Sequence, residues 1–272
     1  MMLLANLNKY AVEHNLGTPF QERTIDFRLS FNDQGYVGMS VAEEGTKIRA
    51  AVVQRTTACV PYQFYDDPEF VLGVSDHGKR DRKTKEGLTA FEVFWQQAEK
   101  TLQGAGDTAA LEALRRLRLS EAKWLSRARE YVQENFKPSG NKKKPYIALS
   151  YKSELLVDRP LVREYFEGLF ADQLRRVDGP DTCLVTGDKC TAVKTHRQIA
   201  GVPGCSPAAA FISFSDMSSR LGRFSSDENV FPVSPPVMLR YTSALNSLLE
   251  TNSAYVPADT CIVFWEIGRA HV

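Results

Sequence analysis

Long apolar runs are absent from the 272-residue sequence. No apolar stretch approaches the ~18 residues that a membrane-spanning helix requires, which argues against a chain that crosses a bilayer. The apolar start is interrupted at Asn6, too early for a secretory signal peptide. Cysteine is scarce as well, since five residues, an odd number in a chain of this length, favour a reducing compartment over a disulfide framework. We therefore expect a cytoplasmic protein.

The sequence also lacks the motifs of common nucleotide-binding sites. It contains neither a Walker loop nor a Gly-x-Gly-x-x-Gly element. With 34 basic and 33 acidic residues the formal net charge is +1, so nucleic-acid binding would have to depend on local patches. The remaining composition is that of an ordinary globular protein, 43% hydrophobic and 25% charged, in a chain long enough for two modest domains.

Hydrophobic periodicity predicts an α+β fold, with an antiparallel meander and helices in the N-terminal domain. The expected elements are a helix over 3–14, strands over 25–31, 37–41 and 47–53, and helices over 88–102 and 108–134. The turn residues Asn32–Gly35 would join the first two strands. We place this domain at residues 1–140.

A stretch rich in Pro, Gly, Asn and Lys, Pro138–Lys144, is the predicted domain boundary. Residues 141–265 are expected to form a second, mixed α/β region that is truncated at its C-terminus. Its first helix begins at Pro160, and its periodicity predicts that Leu161, Tyr165 and Leu169 are turned inward. Residues 266–272 match the translation of a common sequencing adapter, so we exclude them from the fold.

Three cysteines and one histidine suggest a metal site or a nucleophile. Tetrahedral zinc could use Cys183, Cys190, His196 and Cys205, but the gaps of six, five and eight residues differ from the short spacing of paired knuckles. A Cys–His nucleophile would use Cys183 with His196 as its base, although no orienting group or oxyanion donor is recognisable in the sequence. A zinc-ribbon nucleic-acid-binding protein and a Cys/His-dependent hydrolase therefore stay open as alternatives.

Runs of Lys and Arg offer a phosphate-binding surface. One run is Lys79–Lys85, one lies on the helix over 108–134, and one is Lys142–Lys144. Clustered cations neutralise phosphates and give salt-dependent binding without sequence specificity. The helix also carries interspersed glutamates, which is equally typical of a solvated helix face.

Several segments, taken in order, resemble the large subunit of the type I-C (Dvulg-subtype) CRISPR Cascade complex. The segments are 2–7, Phe64–Val74, Asp158–Arg163, Cys183–Gly187 with His196, Gly201–Gly204, Ile212–Phe214, Pro232–Ser234, Tyr241–Leu249 and Val263–Trp265. Their order and spacing over residues 2–265 identify the family, rather than any single match. Members of the family are longer than this chain, so the resemblance implies an N-terminal fragment.

The resemblance implies a non-enzymatic subunit of an RNA-guided surveillance complex in antiviral defence. In such complexes base pairing reads the target, while protein reads the short flanking motif, the PAM, and supports the opened strands of the R-loop. The implied partners are CRISPR RNA, target double-stranded DNA, the backbone and handle-processing subunits of Cascade, and a helicase–nuclease that is recruited after R-loop formation. The resemblance implies no cofactor, no metal and no membrane contact.

By the same resemblance, the PAM contact falls between the third strand and Phe64–Val74. The residues assigned to PAM and DNA binding are Arg55, Thr56, Thr57, Gln63, Lys47 and Arg49, and those assigned to the phosphate backbone are Lys79, Arg80, Arg82, Lys83 and Lys85. Arg55 can hydrogen-bond a base edge or enter a narrow minor groove. Ordinary exposed surface is the alternative interpretation of each of these residues.

Overall fold

The computed structural model describes residues 2–53, 59–74, 82–137, 144–175, 179–193, 196–199, 202, 209–210, 212, 231–251, 253–256 and 260–265. The chain divides into two compact units. We call Pro19–Gly168 the sheet unit, and Met1–Thr18 together with Leu169–Val272 the terminal unit. Within the described ranges, no helix combines the length and the apolar character needed to cross a membrane.

Helices and strands of both units together give the predicted α+β fold class, which is confirmed. The described helices are α1 (Met2–Glu13), α2 (Pro68–Leu72), α3 (Ala90–Gly104), α4 (Thr108–Leu119), α5 (Glu121–Asn135), α6 (Pro160–Arg175) and α7 (Pro235–Thr251), with a 3-10 turn at Leu156–Asp158. The described strands are β1 (Phe20–Thr24), β2 (Phe27–Asn32), β3 (Gly35–Val41), β4 (Lys47–Ala51), β5 (Tyr65–Asp66), β6 (Ile147–Tyr151), β7 (Glu154–Leu155), β8 (Asp181–Thr182), β9 (Lys189–Cys190), β10 (Gln198–Ile199), β11 (Ala209–Ala210), β12 (Ser253–Val256) and β13 (Thr260–Val263).

A five-stranded sheet organises the sheet unit in the order β3-β2-β6-β5, with β7 also paired to β6. Strands β2 and β3 form an antiparallel hairpin, and β2 pairs with β6 in parallel. Along β2, Phe27, Leu29 and Phe31 are buried while the residues between them are half-buried. This alternation is the one that the sequence predicts, and it directs one face of β2 into the core.

The third predicted strand has a different partner from the one expected. Strand β4 pairs antiparallel with β1 in a separate two-stranded sheet instead of extending the meander beside β3. Strand β6 lies beyond residue 140, yet it is a central strand of the sheet that contains β2. The compact sheet unit therefore extends past the predicted boundary.

The arginine-rich segment that was predicted as one helix forms two helices, α4 and α5, which are separated at Ser120. The Ser120 hydroxyl donates to the carbonyls of Arg116 and Leu117, at 3.1 and 3.0 Å. The indole of Trp124 donates to the carbonyl of Leu117 at 2.9 Å. Because these donors satisfy carbonyls that the last turn of α4 would leave unpaired, the helix ends here at little cost.

The terminal unit has its own apolar core. Leu4, Leu7 and Ala11 of α1 are buried in one cluster with Tyr241 and Leu248 of α7.

Helix α6 differs from its sequence prediction. Leu161 and Leu169 are exposed and Val162 is buried, so the predicted inward stripe of this helix is wrong. Residues 266–272, which were predicted to be adapter-derived, lie outside the described residues.

Candidate nucleic-acid interface

Strand β4 presents two of the predicted DNA-binding residues on one exposed face. Lys47 and Arg49 are exposed, whereas Ile48 and Ala50 between and after them are buried. The Lys47 Nζ donates to a carboxylate oxygen of Glu22 on β1 at 2.8 Å, and this hydrogen bond lowers the pKa of Glu22. Period-two alternation of β4 therefore places both cations on the side of the two-stranded sheet that faces solvent.

Arg49 has an aromatic neighbour on the same two-stranded sheet. Its guanidinium lies over the ring of Phe20 on β1, 5.3 Å from the ring centroid. This cation–π contact leaves the guanidinium on the exposed surface. Lys47 and Arg49 are thus the pair of predicted DNA contacts that the structure brings together.

The segment that follows β4 contains the predicted PAM contacts. Arg55, Thr56 and Thr57 lie outside the described residues. Gln63 is buried, and its side-chain carbonyl accepts a hydrogen bond from the Thr101 hydroxyl of α3 at 3.0 Å. The structure therefore places Gln63 in the interior of the sheet unit, apart from the exposed face of Lys47 and Arg49.

Phe64 turns the chain directly after Gln63. Its φ of 62° is in the left-handed region, which is rare for a bulky side chain. Phe64 is buried, and its carbonyl accepts a hydrogen bond from the Leu149 amide at 2.8 Å. Packing and pairing against the central sheet hold this conformation, and they direct the chain into β5.

Three acidic side chains are buried immediately after Phe64. Asp66 accepts hydrogen bonds from the amides of Tyr62 and Asp67, both at 2.8 Å. Asp67 precedes Pro68 and caps α2, where one carboxylate oxygen accepts from the Glu69 amide at 3.0 Å. This Asp-Pro start is a strong helix N-terminus, and it places the Asp67 and Glu69 side chains at the same end of the helix.

Arg82 joins the two carboxylates of Asp67 and Glu69. Its Nη2 lies 3.1 Å from Asp67 Oδ2, and its Nε lies 2.9 Å from Glu69 Oε2. The Arg82 backbone amide also donates to Glu69 Oε1 at 2.9 Å. The guanidinium lies over the Phe70 ring at 5.2 Å from the centroid. Arg82 is therefore held by two carboxylates and an aromatic ring of α2 and its cap.

A second cation, Lys144, completes this arrangement. Its Nζ lies 4.0 Å from Asp67 Oδ2 and 3.9 Å from Glu69 Oε2. We call Asp67, Glu69, Arg82 and Lys144 the anchor cluster. Its carboxylate side chains are each 9% exposed, whereas those of Arg82 and Lys144 are 27% and 30% exposed. The anchor cluster thus has a buried acidic side and a partly exposed basic side.

The rest of the predicted phosphate-binding run divides between exposed and undescribed residues. Lys83 and Lys85 are exposed, and Lys83 forms an isolated bridge with Thr89 next to the N-terminus of α3. Lys79 and Arg80 lie outside the described residues. The sequence treats these residues as equivalent, but the structure distinguishes Arg82, which is paired with buried carboxylates, from the exposed Lys83 and Lys85.

The sequence does not predict the cationic partners of the acidic residues in the anchor cluster. Asp66 and Asp67 stand next to each other, but the cations that contact Asp67 come from positions 15 and 77 residues further along the chain. The available local sign was the Asp67-Pro68 start of α2, which predicts a cap but not its partners. Across the described residues, no group of three His, Cys, Asp or Glu side chains could hold a metal ion.

The alternatives built on cysteine receive no support from the described residues. Cys183 and Cys190 are buried free thiols on the β8–β9 hairpin, and Cys205 lies outside the described residues. Burial raises the pKa of Cys183, but hydrogen bonds from Ser234 and Thr186 outweigh burial, so the net pKa is lowered. The Nδ1 of His196 lies 2.6 Å from the Tyr241 hydroxyl, a contact between two buried side chains that does not involve Cys183.

Comparison with known proteins assigns the chain to a family. A sequence model of the family described as CRISPR-associated protein (Cas_Csd1) matches residues 12–271. The matched range includes residues 266–271, whose adapter origin stays a prediction. None of the curated proteins matches the sequence. The family supports the assignment to a CRISPR Cascade complex, and a match over nearly the whole chain shows that this protein belongs to the Csd1 family of CRISPR-associated proteins.

Proposed function

We propose that the protein is the non-enzymatic large subunit of a type I-C Cascade complex that recognises the PAM of invading double-stranded DNA. The observation that carries the proposal is the family match over residues 12–271. In RNA-guided complexes the guide reads the target sequence, so the protein has to read only the short flanking motif and the DNA backbone. No catalytic step is required of such a subunit.

The sheet unit supports this proposal through its exposed cations. Lys47 and Arg49 share one solvent-facing side of β4, and Lys83 and Lys85, which follow Arg82 in the chain, are exposed. Such residues can neutralise phosphates of a duplex while contributing no sequence specificity. In the proposal, Arg55 supplies the base contact and these lysines and arginines position the duplex.

The partners follow from the same role. CRISPR RNA and the backbone and handle-processing subunits form the complex in which the protein acts. Target double-stranded DNA is its ligand, and a helicase–nuclease joins after the R-loop has formed. The proposed site of action is the cytoplasm, where these components meet the invading DNA.

Charge reversal at Arg55 tests the proposal. In an assembled complex, Arg55→Glu should weaken binding of a PAM-containing duplex by about 5- to 150-fold, because a specific base contact is worth ~1–3 kcal/mol. It should also reduce the preference for that duplex over one with a scrambled PAM. Lys9→Glu is the control, since Lys9 is an exposed cation on α1 in the terminal unit. Equal effects of both variants would remove Arg55 from the PAM site.

A further inference from the structure

We propose that Asp67 and Glu69 are positioning residues for nucleic-acid binding, because they hold together one cation from each of two basic runs. This inference rests on the proposed function and extends it to residues that carry the wrong charge to bind DNA themselves. The first basic run is Lys79–Lys85, and the second is Lys142–Lys144. One cation from each run, Arg82 and Lys144, contacts the same two carboxylates.

The geometry favours one network of shared ion pairs over two independent ion pairs. The oxygen of Asp67 that contacts Arg82 is also the one that contacts Lys144. Likewise, Glu69 Oε2 contacts both cations. If either cation moves away, both of these carboxylate oxygens lose one of their two cationic partners. Arg82 and Lys144 are therefore coupled through shared acceptors.

The ion-pair network also includes a hydrogen bond to the backbone. Because Glu69 Oε1 accepts from the Arg82 amide, the glutamate fixes the main chain at the point where Lys83 and Lys85 follow. Asp67 is itself fixed, since its other oxygen caps α2. The cluster is therefore tied to a helix N-terminus on its acidic side and to two basic runs on its basic side.

Positioning and simple electrostatics predict opposite signs for one substitution. Glu69→Gln removes a negative charge near the basic runs, so long-range attraction alone would leave DNA binding unchanged or make it tighter. If Glu69 positions the runs, the same change should weaken binding despite the more favourable net charge. A matched control is Glu99→Gln on α3, which removes one negative charge from the ion pair of Glu99 with Arg115 in the same unit.

The experiment has two readouts. In the assembled complex, Glu69→Gln should raise the Kd for PAM-containing duplex by about threefold or more and lower the slope of log K against log salt by about one phosphate contact. Glu99→Gln should do neither. In the full chain alone, limited trypsin digestion followed by mass spectrometry should show faster cleavage after Lys83, Lys85 and Lys143 in Glu69→Gln than in Glu99→Gln.

The outcomes separate this inference from the proposed function. A wild-type complex that does not prefer the PAM-containing duplex refutes the proposed function. The trypsin comparison then still tests whether Glu69 holds the basic runs in place. Equal trypsin cleavage and equal Kd in Glu69→Gln and Glu99→Gln refute the positioning role. If Glu69→Gln does not fold, Arg82→Lys replaces it, because it keeps the charge and removes the fork that spans both carboxylates. A fully wild-type Arg82→Lys in both readouts would then overturn the inference.

Discussion

The pair of Asp107 and Arg159 should be a major source of stability in the sheet unit. Asp107 is 3% exposed, and it caps α4 by accepting a hydrogen bond from the Ala110 amide at 3.2 Å. Arg159 binds both oxygens of this carboxylate through Nε and Nη2. Its Nη1 lies 2.9 Å from Glu154. Asp107 thus serves as a helix cap and as the buried partner of an arginine.

Two substitutions separate these roles. Asp107→Asn keeps an oxygen for the cap but removes the charge, and breaking a buried ion pair costs about 3–5 kcal/mol. We expect a loss of ~3 kcal/mol in the free energy of unfolding, at the low end of that range, because Arg159 keeps its contact with Glu154. Asp107→Ala also removes the cap and should cost about 1 kcal/mol more. The double variant Asp107→Asn/Arg159→Met should lose less than Asp107→Asn alone, since it removes the arginine charge that Asp107→Asn leaves beside an uncharged amide.

Urea unfolding followed by tryptophan fluorescence measures these differences. Trp95 and Trp124 are both buried in the core of the sheet unit, so their emission reports on its unfolding. If the m value is unchanged, a shift of the urea midpoint reports a change in stability. Asp107→Asn within about 0.5 kcal/mol of the wild type would show that the ion pair contributes nothing, since surface substitutions alone fall in that range.

Two further predictions concern a turn and a histidine. Ser153 and Lys152 in the β6–β7 turn have φ values of 68° and 49°, so Ser153→Gly should raise the free energy of unfolding by about 0.5–1 kcal/mol in urea titrations, whereas Ser153→Ala should not. Burial lowers the pKa of His196 below its usual 6.5. The unfolded state then binds more protons, so stability should fall as pH drops below about 6.5, and His196→Gln should flatten this dependence in thermal melts. A pH profile that is identical in His196→Gln would contradict the second prediction.

The fold shows which of its features are local enough to be predicted. The β2–β3 hairpin follows from period-two alternation and the turn residues between its strands, both of which lie within a few residues of each other. The partner of β4 does not follow in this way, because β1 lies more than twenty residues earlier and the two-stranded sheet depends on that long-range pairing. The same limit applies to β6, whose alignment beside β2 joins residues that are about 120 positions apart.

Helix α6 illustrates a smaller failure with a geometric cause. Leu161, Tyr165 and Leu169 follow one another at intervals of four residues, as an inward stripe would. The structure buries Val162 and packs Phe166 against the core instead. Successive residues on a helix are rotated by about 100°, so a face that is displaced by one residue exchanges the buried and exposed stripes.

The anchor cluster shows that cations of one basic run can have different surroundings, which the sequence of the run does not predict. A sequence predicts that cations close together will repel each other and attract phosphate, and it assigns that property equally to every Lys and Arg in the run. The buried carboxylates distinguish one cation of the run from the others. Arg82 contacts two carboxylates of α2 and its cap, whereas Lys83 and Lys85 remain exposed. A phosphate could displace the carboxylates from Arg82 only by leaving two buried anions with Lys144 as their remaining cation, which carries an energetic penalty.

The number of cations that contribute to salt-dependent binding is therefore smaller than the number in the sequence. Each phosphate contact adds about 0.9 to the slope of log K against log salt. If Arg82 serves as an anchor, Arg82→Gln should change this slope through the loss of positioning, and its effect should match that of Glu69→Gln, although the two substitutions change the net charge in opposite directions. Charge-neutralising Lys85→Gln should also lower the slope by about one, but it should leave the trypsin cleavage after Lys143 unchanged. Opposite effects of Arg82→Gln and Glu69→Gln on the slope would show that both residues act only through their charge.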